Sequence, residues 1–135
     1  MIGAGMWTGV RAALDAPAWV RSKRLGELLA FPAGAASGVP RAEPDGALRS
    51  ARRTLRLLSR LPGDRWRASC LYESVAECLV LRRAGIPAAV CIGVKREADG
   101  SRGLAAHAWV ARSDADTRFH GFSTMSVLAE LRAQR

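Results

Sequence analysis

Residues 70–110, CLYESVAECLVLRRAGIPAAVCIGVKREADGSRGLAAHAWV, decide the fold of this chain. Apolar residues at helical spacing follow Cys70, which predicts a helix that begins there, with Ser69 placed to cap it. The arginine pair at 82–83 suits the last turn of that helix, where cations interact favourably with the helix dipole. Gly85 then fits the left-handed position that ends a helix.

A β-hairpin is predicted directly after this helix. The apolar segment 88–94 is typical of a strand, the polar segment 95–103 of a turn, and 104–112 of the next strand. A third strand is predicted over 118–123 and a C-terminal helix after it. Helices first, followed by helix–strand–strand–strand–helix, indicate an α+β domain with a small antiparallel sheet.

The N-terminal part, residues 1–69, is predicted to be helical around a loop at 31–46 that is rich in Pro, Gly and Ala. Residues 1–14 are expected to form a short helix or an ordered arm. Asp15 and Pro17 are typical of a helix N-terminus and predict a second helix that ends near residue 30. The apolar contacts expected from these segments are Met6, Trp7, Val10, Leu14, Trp19, Val20, Leu25, Leu28 and Leu29.

A basic amphipathic helix is predicted from Asp45 to the Pro-Gly stop at 62–63. Its inward stripe is expected to be Leu48, Ala51, Leu55 and Leu58, widened by Leu57 and Leu61. Its remaining surface carries Arg49, Arg52, Arg53, Arg56 and Arg60. Two interpretations of these arginines stay open, a solvated helix surface and a docking face for an acidic peptide or partner.

Composition limits the class of protein. The 135 residues suit one domain, 1–135, with a single core. No apolar run reaches the roughly 18 residues of a membrane-spanning helix, so no membrane partner is expected.

Three cysteines without paired spacing argue against a disulfide framework or zinc site and for a reducing, cytoplasmic setting. The net charge of +9 suits an acidic partner, but no nucleic-acid-binding motif accompanies it, so no nucleic acid is expected.

Cys70 and His107 form the nucleophile–base pair that this sequence offers. A helix N-terminus favours the reactive thiolate, because unpaired N–H groups and the helix dipole stabilise negative charge. Trp109 lies two residues after His107, hence on the same strand face, and is placed to wall a pocket. Cys78 lies on an apolar helix stripe and Cys91 within a strand, so both are predicted to be structural. Taken alone, the pair is also compatible with a structural role.

The pattern C-L-x-x-S-x-A-x-x-L-x-L-R-R-x-G-I-P-A, followed by I-G-V and A-H-A-W-V, resembles the transglutaminase-like cysteine peptidase of lasso peptide biosynthesis, the B protein. The resemblance implies a papain-like fold in which N-terminal helices pack on a small antiparallel sheet. It implies a hydrolase that removes the leader peptide from a ribosomally made precursor, without cofactor or metal. It also implies a Cys-His-Asp triad, with Cys70 as nucleophile and His107 as general base and acid.

The resemblance further implies partners. Fused family members carry a winged leader-recognition module ahead of the peptidase, whereas residues 1–69 here are predicted to be helices and a loop. We therefore expect a stand-alone peptidase with its catalytic core at 70–135. Its expected partners are the precursor leader, a separate leader-binding recognition-element protein and the macrolactam cyclase.

The third triad residue departs from the family pattern. The family's Asp should follow on the strand after the histidine, where this chain has Phe-His-Gly at 119–121. If that strand pairs with the second strand through a short turn, His120 lies beside His107 on one face. His120 is therefore the first choice for the group that orients His107, ahead of Asp116 and then Asp114.

Two alternative functions remain open at this point. The first is a catalytically weak or inactive scaffold that links the leader-binding protein, the precursor and the cyclase, and the missing Asp favours it. The second is a nucleic-acid-binding module, which rests on the net charge and on the arginines between residues 49 and 60.

Overall fold

A computed structural model describes residues 3–30, 44–62, 70–96, 104–112 and 123–124. The helices of these segments are α1 (Ala4–Arg21), α2 (Leu25–Leu28), α3 (Asp45–Leu58) and α4 (Cys70–Arg83). The strands are β1 (Ala89–Arg96), β2 (Leu104–Ala111) and β3 (Ser123–Thr124). This order confirms an α+β architecture with N-terminal helices and a small antiparallel sheet. None of the helices in the described segments has the length and apolar character needed to cross a membrane.

The central element of the fold is α4, which is enclosed on nearly every side. It packs against α1, α3, β1 and β2. Its limits match the predicted ones, since it begins at Cys70 and is followed by Gly85 with a φ of 78°. Glycine adopts this left-handed conformation without the steric penalty of a Cβ. The buried residues of α4 are Tyr72, Ser74, Val75, Ala76, Cys78, Leu79, Val80 and Leu81.

Arg82 joins the C-terminal end of α4 to two neighbouring segments. Its Nε donates to the Ala88 carbonyl oxygen at 2.8 Å, just before β1. Its other two nitrogens donate to the carbonyl oxygens of Glu27 at 3.0 Å and Ala30 at 2.6 Å, which belong to α2 and the residues after it. One guanidinium thus donates to three backbone carbonyl oxygens and joins the end of α4 to the α2 segment and to the residue before β1.

The N-terminal helix differs from the sequence prediction. α1 runs without a break across Asp15 and Pro17, so the helix start predicted there is wrong. Pro17 lacks the N–H that would bond four residues back, and an internal proline costs about 3 kcal/mol of helix stability. Packing outweighs this cost, because Ala12, Ala13 and Ala16 around the proline are fully buried.

Small residues form the buried face of α1. Met6, Trp7 and Leu14 are 41%, 62% and 48% exposed, so the core contacts predicted for them are wrong. A Cβ added at Gly9 would lie 2.2 Å from the carbonyl oxygen of Ala47. The backbones of α1 and α3 therefore approach too closely for large side chains between them, which explains why those side chains lie outside.

α3 begins at Asp45, as predicted, and its buried residues are Ala47, Ala51 and Leu55. Leu57 and Leu61 were expected to widen the inward stripe, but they are 54% and 51% exposed. Leu57 lies two residues, and hence roughly 200° around the helix, from Leu55. α1 and α4 therefore cover only the side of α3 that carries Ala47, Ala51 and Leu55.

The predicted hairpin is confirmed, whereas the predicted pairing of the third strand with β2 is wrong for the part that the structure describes, and residues 118–122 of that predicted strand lie outside the described residues. β1 and β2 pair antiparallel, with Gly93 opposite His107 and Cys91 opposite Trp109. β3 pairs with β1, not with β2, and the strand order is β2-β1-β3. β2 ends at Ala111 and β3 begins at Ser123, so the two strands are not joined by the turn of roughly two to five residues that is typical of a hairpin.

Several further expectations lie outside the described residues. They concern Ser69 as a helix cap, the loop at 31–43, the turn at 97–103 and the helix predicted after residue 124.

Replacing Gly9 by Ala should lower the free energy of unfolding by about 1–3 kcal/mol, because α1 and α3 must move apart to admit the methyl group. Gly46→Ala is the matched control, since no atom lies within 4 Å of a Cβ built there. The control should leave stability unchanged or raise it by up to about 1 kcal/mol, given the better helix propensity of Ala. Urea denaturation followed by circular dichroism measures both, and equal losses in the two variants would refute the close-packing account.

Candidate active site

Cys70 is the first residue of α4 and has a free, half-buried thiol. The hydroxyl of Ser74, one turn further on, donates to the Cys70 carbonyl oxygen at 2.6 Å. Ser74 is itself buried, and this bond satisfies its hydroxyl within the helix. Cys70 therefore lies at the edge of the core, with its carbonyl oxygen bonded to the next turn of α4.

His107 lies in β2 and is half-buried. Its ring stacks on that of Trp109, with ring centroids 6.0 Å apart and an interplanar angle of 19°. This confirms that the two side chains share one face of the strand, as alternation along β2 predicts. Trp109 is 9% exposed, so the His107 ring packs against a largely buried side chain.

Cys70 and His107 line the same cleft, whose volume is about 410 Å³. Its walls come from α3, α4 and β2, and α4 packs against both α3 and β2. Such a volume lies within the range of sites that hold small ligands or part of a peptide. The other residues that line the cleft are Arg52, Arg56, Glu73, Ser74, Glu77, Ala108, Trp109 and Val110.

Charged residues of both signs surround the cleft. Arg52 from α3 donates from Nε to Oε1 of Glu77 on α4 at 2.6 Å, and its Nη2 contacts the same oxygen. Arg56 and Glu73 lie in the same walls. The Arg52–Glu77 pair joins α3 to α4 in the wall of the cleft that contains Cys70.

The glutamates are site residues that the sequence analysis missed. Three residues follow Cys70 at distances of three, four and seven positions in the sequence: Glu73, Ser74 and Glu77. Residues at these spacings lie on one face of a helix. The predicted helix start at Cys70 therefore contained the signal needed to place Glu73 and Glu77 on the same helix face as Cys70.

Cys78 belongs to the core. It is fully buried, and its thiol donates to the Ala88 carbonyl oxygen at 3.6 Å. Burial raises the pKa of the Cys78 thiol to about 11, because desolvation disfavours the thiolate more than nearby Arg82 favours it. Cys91 is half-buried in β1, opposite Trp109. Neither thiol lines the cleft that contains Cys70.

The third group of the predicted triad lies outside the described residues. This holds for His120, Asp114 and Asp116 alike. The argument for His120 assumed that the third strand pairs with β2, and β3 pairs with β1 instead. The role of His120 therefore stays a prediction without that support. Within the described ranges, no three His, Cys, Asp or Glu side chains lie close enough to hold a metal ion.

Comparison with known proteins gives one match. A family model described as the transglutaminase-like superfamily matches residues 12–126, a range that contains both Cys70 and His107. No curated protein and no solved structure matches the chain. The superfamily includes cysteine-peptidase-like members, in agreement with a cleft that holds a cysteine and a histidine. Because the match spans most of the sequence, this chain belongs to the transglutaminase-like superfamily.

Proposed function

We propose that this protein is a cysteine endopeptidase that removes the leader peptide from a lasso peptide precursor. One observation carries the proposal: Cys70, at the start of α4, and His107, on β2, line a single cleft although 37 positions separate them in sequence. Membership of the transglutaminase-like superfamily supports thiol-based acyl transfer. The resemblance of residues 70–110 to the lasso B protein supports the substrate class.

In the first half of the proposed reaction, the Cys70 thiolate attacks the carbonyl carbon of the bond that joins leader and core peptide. The negative charge that develops on the carbonyl oxygen needs hydrogen-bond donors nearby. The first N–H groups of α4 have no partner within the helix and meet this need beside Cys70. His107, which has accepted the proton of the Cys70 thiol, donates it to the departing amine, and the carbon–nitrogen bond breaks. The core peptide is released and the leader remains as a thioester on Cys70.

In the second half, water hydrolyses the thioester. His107 accepts a proton from the water, which attacks the thioester carbonyl, and the leader leaves with a new carboxyl group while Cys70 is regenerated. An amine in place of water would give transamidation from the same thioester. Hydrolysis is the reaction that leader removal requires.

The proposal includes the partners implied by the resemblance. A leader-binding recognition-element protein would present the precursor, and the macrolactam cyclase would act on the released core peptide. Tethering by the leader-binding protein raises the local concentration of the cleavage site at the cleft. The reaction is proposed to take place in the cytoplasm, without cofactor or metal.

Iodoacetamide should modify Cys70 in the native protein well before Cys78. Cys70 lines the cleft, whereas Cys78 is buried, with its pKa raised to about 11. Only about one Cys78 thiol in a thousand would be thiolate at pH 8 even if the reagent reached it. Peptide mass mapping over time measures each rate. Faster labelling of Cys78 than of Cys70 would exclude Cys70 as the reactive thiol.

Cys70→Ala and His107→Ala should each lower precursor cleavage by about 10³-fold or more, because a nucleophile and its base act as one unit. Cys91→Ala serves as the control outside the cleft and should keep most of the activity. Mass spectrometry of a lasso precursor, with and without its leader-binding protein, measures cleavage. Addition of that protein should raise the rate, and folded Cys70→Ala protein that still cleaves would refute the proposal in favour of another nucleophile.

His120→Ala should lower precursor cleavage by about ten- to hundredfold, if His120 orients His107 and stabilises its protonated form. Asp114→Ala and Asp116→Ala are the matched comparisons, because these are the alternative orienting groups. His120→Asp should keep or raise activity, as a carboxylate restores the family pattern. A larger loss in either Asp variant than in His120→Ala would assign the third position to that aspartate.

A further inference from the structure

We propose that the solvent face of α3 is a docking surface for an acidic segment of the substrate peptide and leads that segment into the Cys70–His107 cleft. The surface consists of Arg49, Arg53, Arg56 and Arg60, here called the α3 basic stripe. The inference rests on the proposed function and adds a substrate property to it, namely carboxylates close to the cleaved bond.

The α3 basic stripe is a single row of cations. Its members are spaced by four, three and four residues, which places them along one line of a helix surface. All of them are exposed, and they point away from the side on which Ala51 and Leu55 are buried. Arg60 follows the end of α3, and its N–H bond to the Leu57 carbonyl oxygen at 3.2 Å continues the turn.

Within the described part of the chain, no ion pair neutralises the stripe. The ion pairs between described residues join Arg11 and Arg83 to Asp15, and Arg52 to Glu77. Arg52 lies next to the stripe on α3, but its guanidinium is already paired with Glu77. A row of four guanidinium groups without carboxylate partners favours an acidic ligand, because each retains donors for two parallel bonds to a carboxylate.

The dimensions of the stripe match an extended peptide. From Arg49 to Arg60, counting the turn that continues α3, the chain rises about 16 Å, and about five residues of an extended chain can span this distance. Side chains on one face of an extended peptide repeat every 7 Å or so, close to the roughly 5–6 Å between successive stripe members. Acidic residues at alternate positions of a peptide would therefore meet successive arginines.

Arg56 connects the stripe to the active site, since it also lines the cleft that contains Cys70 and His107. A peptide held on the stripe therefore has a direct path to the thiol. The cleft also contains Glu73, which would repel a phosphate backbone that followed the same path, whereas Glu77 is paired with Arg52. A peptide avoids this conflict by placing carboxylates on the stripe and an uncharged or basic residue at the cleft, and this favours a peptide over a nucleic acid.

Equilibrium binding of a fluorescein-labelled peptide of alternating Glu and Gly tests the docking surface. The full chain is compared with the double variants Arg49→Gln/Arg53→Gln and Arg11→Gln/Lys23→Gln, which remove equal charge on and off the stripe. Fluorescence anisotropy should show binding about fivefold weaker for the stripe variant, given modest energies for exposed ion pairs. The control variant should bind within about twofold of wild type, and added salt should weaken binding.

Three results would overturn the proposed docking surface. The first is that the acidic peptide does not bind the wild-type protein, and the second is that the two double variants weaken peptide binding equally. The third is that a labelled RNA oligonucleotide binds the stripe more tightly than the peptide does. Binding does not depend on cleavage, so the two proposals can fail separately. Stripe-dependent peptide binding without precursor cleavage contradicts the proposed peptidase alone, and cleavage without stripe-dependent binding contradicts the docking surface alone.

Discussion

The burial of α4 is the constraint on which the rest of this structure depends. A helix enclosed by α1, α3 and the sheet can neither slide nor rotate without exposing apolar side chains. Each such side chain contributes about 1.5–3 kcal/mol when it is fully buried. The first turn of α4 is consequently fixed relative to β2, and this relation brings Cys70 and His107 to one cleft. The alignment of Cys70 with His107 therefore depends on the packing of the core.

Small residues make this enclosure possible. Gly9 and the alanines of α1 and α3 allow those helices to approach closely, which leaves the larger side chains Trp7 and Leu57 at the surface. The arginines of α3 then divide into two groups. Arg52 pairs with Glu77 and joins two helices, whereas the α3 basic stripe faces solvent. The same helix therefore supports the cleft on one side and presents charge on another.

The parts of the fold that the sequence predicted are those encoded by local signals. Cys70 to Gly85 shows helical spacing, basic residues in the last turn and a glycine stop, and the hairpin shows two apolar runs around a polar turn. The failures came from tertiary effects. Packing of Ala12, Ala13 and Ala16 overrides the break expected at Pro17, and the edge of the sheet that β3 joins depends on long-range pairing.

The candidate site was predictable to the same extent. Helix start and strand alternation indicated Cys70, His107 and Trp109, because each signal is local. To predict the Arg52–Glu77 pair one must know how α3 lies relative to α4, and no local sequence pattern specifies this. Glu73 and Glu77 could have been found from helical spacing alone.

The most direct test of the central claim is the rate at which iodoacetamide alkylates Cys70 at neutral pH, in wild type and in His107→Gln. If the two residues act as a nucleophile–base pair, loss of the imidazole should slow alkylation by about tenfold or more, since the thiolate loses its partner. Circular dichroism of the variant confirms that it is folded. Equal alkylation rates in the two folded proteins would contradict the claim and make the shared cleft a structural coincidence.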